Sequence, residues 1–129
     1  MNRPLKFRVW DADLNKFGNP DIYGFILRYG LIHGSEKHTE YDIYYDPNVV
    51  LQQYTGLNDK DGKEIYEGDI IIDTQCQKYE IIFDENHARY DLKVCGENKL
   101  SQTSYGTKIY EKKHIEVIGN IFEHSELLK

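Results

Sequence analysis

Alanine and methionine are almost missing from this chain. Its 129 residues hold two Ala (Ala12 and Ala88) and one Met. Both types favour helices, and no amphipathic helical stretch separates the extended segments. These absences exclude a helical bundle and argue against a single α/β sheet. Long hydrophobic runs are missing too. The uncharged apolar stretches are as short as residues 24–27 and 70–72, whereas a membrane helix needs about 20 residues. Charges at Arg3, Lys6, Arg8 and Asp11 leave no room for the apolar core of a secretory signal. The expected location is therefore the cytoplasm, with no membrane partner. Cys76 and Cys95 stand alone, with no Cys-x-x-Cys and no His at zinc-finger spacing. In a cytosolic chain they read as reduced core residues rather than a disulfide or a reactive thiol. Basic charge is scarce, with 16 Lys and Arg against 22 Asp and Glu and a net charge of −6. That balance argues against general nucleic-acid binding, which needs cations to neutralise phosphates. Gly-rich phosphate loops, Gly-x-Ser-x-Gly and family-spaced Cys/His pairs are also missing. The expectation is a chain that is not an enzyme and carries no cofactor or metal.

Tyrosine is in excess, with 11 residues, and tyrosine favours strands. Leu5, Phe7 and Val9 alternate with Lys6, Arg8 and Trp10, which predicts a strand over residues 5–10. Residues 11–19 (DADLNKFGN) are turn chemistry. Residues 22–33 are apolar on both strand faces apart from Arg28, as in a strand or bent strand pair buried on both sides. Residues 34–40 form a polar loop, 41–45 are strand-like, and 49–54 predict a further strand. Asp61-Gly62 is a tight-turn signal. Residues 69–74, 78–84 and 89–95 predict three short strands in an antiparallel meander. Tyr79, Ile81 and Phe83 on one strand and Tyr90, Leu92 and Val94 on the next are the predicted core rows. Residues 96–106 read as a polar loop and 107–110 as a short strand. In residues 115–122, Ile115, Val117, Gly119 and Ile121 share one face. Residues 125–128 predict one helical turn with Ser125 as its N-cap. The fold class is mainly β with little helix. A small antiparallel barrel of SH3-like type over residues 56–129 is joined by N-terminal strands from residues 1–55, in a single domain.

Several clusters resemble chemical sites, and each also has a plainer reading. Residues 57–68 place Asp59, Asp61 and Gly62 as in a calcium loop. The first and twelfth positions are Leu57 and Gly68, however, so a hairpin turn is expected. Asp11, Asp13 and Asn15 give a second partial match, with Lys16 where glycine is required. His33, Glu36, His38 and Glu40 suit a borderline metal but also a solvated loop. Tyr105, Lys108, Tyr110, Lys112, Lys113 and His114 form the one basic, aromatic segment. That mixture can stack bases and hold phosphate, while Glu111 and Glu116 dilute it. An edge strand defended by lysines is the alternative.

Three blocks together resemble the YopX family of phage and prophage proteins from Gram-positive bacteria. They are KFRVWD (residues 6–11), LQQYTGLNDKDGKEIYEGDIII (51–72) and IEVIGNIFEHSELL (115–128), about a third of the chain. The resemblance implies a mostly β fold, homo-oligomer formation and no established biochemical activity. Residues 22–48 and 86–113 carry none of it, so differences in partner between members would lie there. Within the blocks, Gly56, Gly62 and Gly68 suit positive φ, and Asp69 suits a local hydrogen bond. Tyr54 and Tyr66 can bury their rings while their hydroxyls reach polar groups. Trp10 is a core, subunit-interface or ligand-stacking residue.

The resulting expectation is a non-enzymatic, homo-oligomeric module that binds a host or phage protein. Its candidate contact residues are Trp10, Tyr54, Tyr66, Tyr105, Lys108, Tyr110, Lys112 and Lys113. A nucleotide-signal binder is the alternative, with tyrosines stacking on a base and Lys108, Lys112, Lys113 and Arg89 on phosphate. A nucleic-acid-binding barrel using residues 105–114 is the third reading.

Overall fold

The computed structural model describes residues 5–18, 49–97 and 114–129. Expectations for residues 22–45, the His33–Glu40 cluster and 107–110 lie outside them. The described chain is mainly β, with eight strands in two antiparallel sheets and one short 3₁₀ helix. The strands are β1 (Phe7–Asp11), β2 (Lys16–Gly18), β3 (Val49–Asn58), β4 (Glu64–Tyr66), β5 (Asp69–Ile72), β6 (Lys78–Asp84), β7 (Arg89–Val94) and β8 (Glu116–Asn120). One sheet has the order β2-β1-β3-β4 and the other β7-β6-β5-β8. The second order is compatible with a small barrel of SH3-like type. The chain divides into two compact units, Lys6–Gln52 and one built on Gln53–Lys129, with β3 contributing to both.

In the first unit, residues 11–19 are not all turn. Asp11 Oδ1 accepts the amides of Asp13 and Leu14 at 3.0 and 3.1 Å, and Asn15 takes a positive φ. The chain thereby reverses early, and Lys16–Gly18 pairs with β1 in the register Trp10 to Phe17.

The second unit holds a core of Ile65, Ile71, Tyr79, Ile81, Leu92, Ile115 and Val117. The meander has the expected pairing, with Ile81 opposite Leu92 and Tyr79 opposite Val94. Cross-strand pairs of this kind stabilise a sheet face. Phe83 departs from the expectation. It shares the face of Ile81 but is 43% exposed, because the core ends one pair earlier and Phe83 rests only edge-on against Tyr90. In β8, a register shift between Ile70 and Ile71 bulges the strand at Ile118, yet Ile115, Val117 and Gly119 are buried as expected, and the alternation ends only at Asn120, which is buried where Ile121 is half-buried. The 3₁₀ helix Ser125–Leu128 occurs where a helical turn is expected. His124, not Ser125, occupies the cap position, and no side chain caps it.

A β-bulge shapes the β3–β4 hairpin. Tyr54 pairs with Tyr66 and Asn58 with Glu64, so four steps on β3 oppose two on β4. Gly56 turns there with φ +90°. The bulge takes backbone groups out of the ladder, and Thr55 supplies partners. Its hydroxyl donates to the Ile65 carbonyl at 2.8 Å and accepts the Leu57 amide at 3.3 Å.

One device recurs through both units. Asp11, Asp59, Asp73 and Asp84 each begin a hairpin turn, and each Oδ1 accepts the amide two residues on, at 2.9–3.0 Å. Asn120 does the same for Phe122 after β8. A carboxylate here satisfies donors that the turn removes from the ladder. The two runs that resemble calcium loops are therefore turns whose carboxylates face backbone amides.

Asp59 carries the device furthest. Its Oδ1 accepts from Asp61 and Lys63 and its Oδ2 from Val117, at 2.9–3.0 Å. Burial pushes its pKa up. The bonds from Val117, Lys63 and Asp61, together with the Lys63 charge, outweigh burial and hold it below its ordinary value. Asp84 is also held low, first by the His87 side chain.

Asp59→Ala should destabilise the protein by about 3 kcal/mol in urea denaturation, since it orphans buried donors of a charge-assisted acceptor. A depressed folded-state pKa gives stability that is fully present above the unfolded value, near 4. It is lost as pH falls through the folded value. Denaturation midpoints should thus fall as pH drops below about 4, and less so in Asp59→Ala. Gly119→Ala should cost about 1–3 kcal/mol in the same assay, because its Cβ would meet the His124 ring at 2.7 Å.

Candidate functional site

Three of the eight sequence-predicted contact residues are described. Trp10 is 4% exposed and meets Phe17 edge-to-face, with centroids 5.0 Å apart. The Arg8 guanidinium lies 4.6 Å over the same Phe17 ring and donates from Nε to Gln52 at 2.8 Å. The Trp10 side chain is thus buried, with one ring edge or face taken by Phe17. Tyr54 is buried and its hydroxyl donates to Asn58. Tyr66 is half-buried, and its hydroxyl donates to Glu64 at 2.8 Å. The Tyr54 and Tyr66 rings lie 5.6 Å apart, so the structure brings this pair together. Stacking on a base requires an accessible ring face, which Tyr66 retains in part. Tyr105, Lys108, Tyr110, Lys112 and Lys113 lie outside the described residues. Arg89, expected as a phosphate contact, sits on β7 with its guanidinium 3.4 Å from Asp91.

Sequence reasoning missed an open groove of about 480 Å³ at one end of β6 and β7. Its walls include Glu80, Lys93, Cys95, Glu97 and Leu128. Glu80 stands directly opposite Lys93 in the register. Burial raises the Glu80 carboxyl, and the Lys93 charge opposes that rise. Burial, then the Glu80 charge, pushes the Cys95 thiol up against the pull of Lys78 and Lys93. A thiol shifted upward is protonated at neutral pH, which is the reverse of an activated nucleophile. The other wall comes from the C-terminal 3₁₀ helix. Gly96, at φ +81°, donates its amide to the Leu128 carbonyl at 2.7 Å. A Cβ on Gly96 would sit 3.2 Å from the Lys129 carbonyl carbon. The groove thus offers carboxylates and ammonium groups side by side, suited to a ligand carrying both signs of charge.

A hydrogen-bonded pair of polar side chains lies at the β6–β7 turn. His87 Nδ1 is 2.6 Å from Asp84 Oδ2, with the His87 side chain largely exposed. Among the described residues, no three His, Cys, Asp or Glu side chains gather as a metal site. None of their buried side-chain N or O atoms is without a hydrogen-bond partner. No helix among them is long and apolar enough to cross a membrane.

The blocks carrying the family resemblance contribute chiefly hydrogen bonds of the fold. Asp69 Oδ2 accepts the Tyr66 amide at 2.8 Å. Gly68 donates to Ile81 and accepts from Ile121. Asn120 Oδ1 accepts from Phe122 and Glu123. The residues of QYTGL and EIYEGD, together with Asp59 between them, thus wire β3, β4, β5 and β8 together.

Comparison with solved structures finds the crystal structure of protein EF1440 from Enterococcus faecalis, at a TM-score of 0.62 and 24% identity. The match covers 99% of this chain and all of that one, and at this identity it establishes the fold alone. No curated protein matches the chain. The family model described as YopX protein matches residues 6–129, running through the segments that carry none of the recognised blocks. That span is nearly the whole sequence, and the chain belongs to the YopX family.

Proposed function

We propose that the protein is a non-enzymatic phage or prophage accessory module that acts in the host cytoplasm as a homo-oligomer. In this reading it binds a host or phage protein. The supporting observation is how the family blocks are used. Thr55, Asp59, Gly68, Asp69 and Asn120 each direct polar groups at the protein's own backbone. A catalytic site would instead aim such groups at a space where substrate can sit. Signature residues that build the scaffold leave recognition to segments outside them, above all residues 22–48 and 86–113.

One observation favours small-ligand binding as a second reading. The groove beside Glu80 and Lys93 has the volume of a small-molecule site. Its mixed charge suits a nucleotide less well than a cationic pocket would.

Affinity capture on the immobilised chain tests the first reading. A wild-type chain should retain one protein in stoichiometric amount from host lysate. A variant with residues 98–113 replaced by a Gly/Ser linker should lose it while keeping its melting temperature. A panel of nucleotides should leave that temperature unchanged. A rise of several degrees with one nucleotide, and no retained protein, would overturn the proposal in favour of the second reading.

A further inference from the structure

Four register partners line up across the second sheet. Lys93 stands opposite Glu80, Glu80 opposite Ile70, and Ile70 opposite Gly119. Partners in an antiparallel register share a face, so these four form one row from β7 to β8. Cys95 continues the ladder just past β7, through its amide to Lys78, and falls on the same face as Lys93. Ile70 is fully buried in the middle of the row, yet it is not part of the core cluster. Residues 121–129 follow this row. They leave β8 at Asn120, and the Leu128 carbonyl accepts the amide of Gly96, just past β7. The segment thus passes from the last strand of the described order to the first.

Its two fastenings are unequal. At the β8 end, Asn120 Oδ1 accepts the amides of Phe122 and Glu123, and Asn120 Nδ2 donates to Glu123 Oε1 at 3.0 Å. The Asn120 carbonyl accepts the His124 amide, and the Asn120 amide donates to His124 Nδ1 at 3.3 Å. The His124 ring fills the space where a Gly119 Cβ would stand. At the β7 end, the hydrogen bond among the described residues is the one from Gly96 to Leu128, at 2.7 Å. Between the two ends, the 3₁₀ helix has no side-chain cap and no fully buried residue. Segments with so little burial open at a lower free energy than the core. The lightly held end is also a wall of the groove, since Leu128 and Lys129 line it together with Glu80, Lys93 and Cys95.

We infer that residues 121–129 are a strap hinged at Asn120, whose Leu128 end lifts from Gly96 and opens the groove beside Glu80, Lys93 and Cys95 while the sheet stays folded. The motion belongs to the fold and rests on neither functional reading above.

Native-state amide exchange in dilute urea tests the hinge. A local opening exposes little surface, so Gly96 exchange should depend weakly on urea, whereas exchange of the β6 amides should depend on it strongly. A shared urea dependence overturns the inference. Thiol labelling tests the groove, in a Cys76→Ser background because Cys76 is exposed. Gly119→Ala displaces the His124 ring and should speed labelling of Cys95 about tenfold or more. Ile81→Val weakens the core on the opposite face of β6 and should leave that rate unchanged. Equal rates in Gly119→Ala and its parent, or equal acceleration by both substitutions, overturn the inference. If Gly119→Ala does not fold, the urea dependence of Gly96 exchange in wild type decides by itself.

Discussion

The carboxylate of Asp59 is the constraint on which the rest of the second unit depends. A ten-residue strand must reverse into a three-residue one, with a bulge before the turn. That geometry takes amides out of the ladder, and buried amides without partners are costly. One side chain answers three of them, two within the turn and one on β8. It therefore closes a hairpin and fastens that hairpin to a strand 58 residues later in the sequence. Such bonds are strongest while the acid is ionised, so part of the sheet's stability is tied to a charge state. The same logic at Asp11, Asp73 and Asp84 accounts for part of the acidic excess. Their Oδ1 atoms face backbone amides, while Asp73 Oδ2 accepts the Tyr79 hydroxyl and Asp84 Oδ2 meets His87.

Much of the fold is legible from alternation alone. The bounds of β6 follow from KYEIIFD, and the positive φ of Gly56, Gly62 and Gly68 follows from where turns must fall. What escapes is whatever depends on a partner strand. KFG looks like turn because every neighbour of it favours turns, and only pairing with β1, Trp10 against Phe17, makes it β2. Phe83 satisfies the alternation yet lies past the end of the core, because a period of two says which face a residue takes and not where the layer stops. The bulge at Ile118 is likewise a property of the β5–β8 register, which β8 does not encode by itself.

The candidate site divides in the same way. Burial of Tyr54 with its hydroxyl satisfied is foreseeable from an amphipathic ring on a strand, whereas Trp10, on the strand face opposite Leu5, Phe7 and Val9, reads equally as core, subunit interface or ligand contact, and its burial is known only from the structure. The groove is not foreseeable. It needs Glu80 opposite Lys93, which the meander register supplies, and Leu128 docked on Gly96, which no local pattern announces. The groove has charges of both signs and a protonated thiol, and it lies beside a scaffold whose signature residues are occupied with one another. The YopX blocks thus describe how the sheet is held.

The most direct test of this account is a carboxyl-carbon NMR titration of Asp59, with the amide protons of Asp61, Lys63 and Val117 followed in parallel. The account predicts a titration midpoint below the ordinary aspartate value, with all three amides shifting at that same midpoint. An ordinary midpoint, or amides that do not follow the carboxyl, would contradict it.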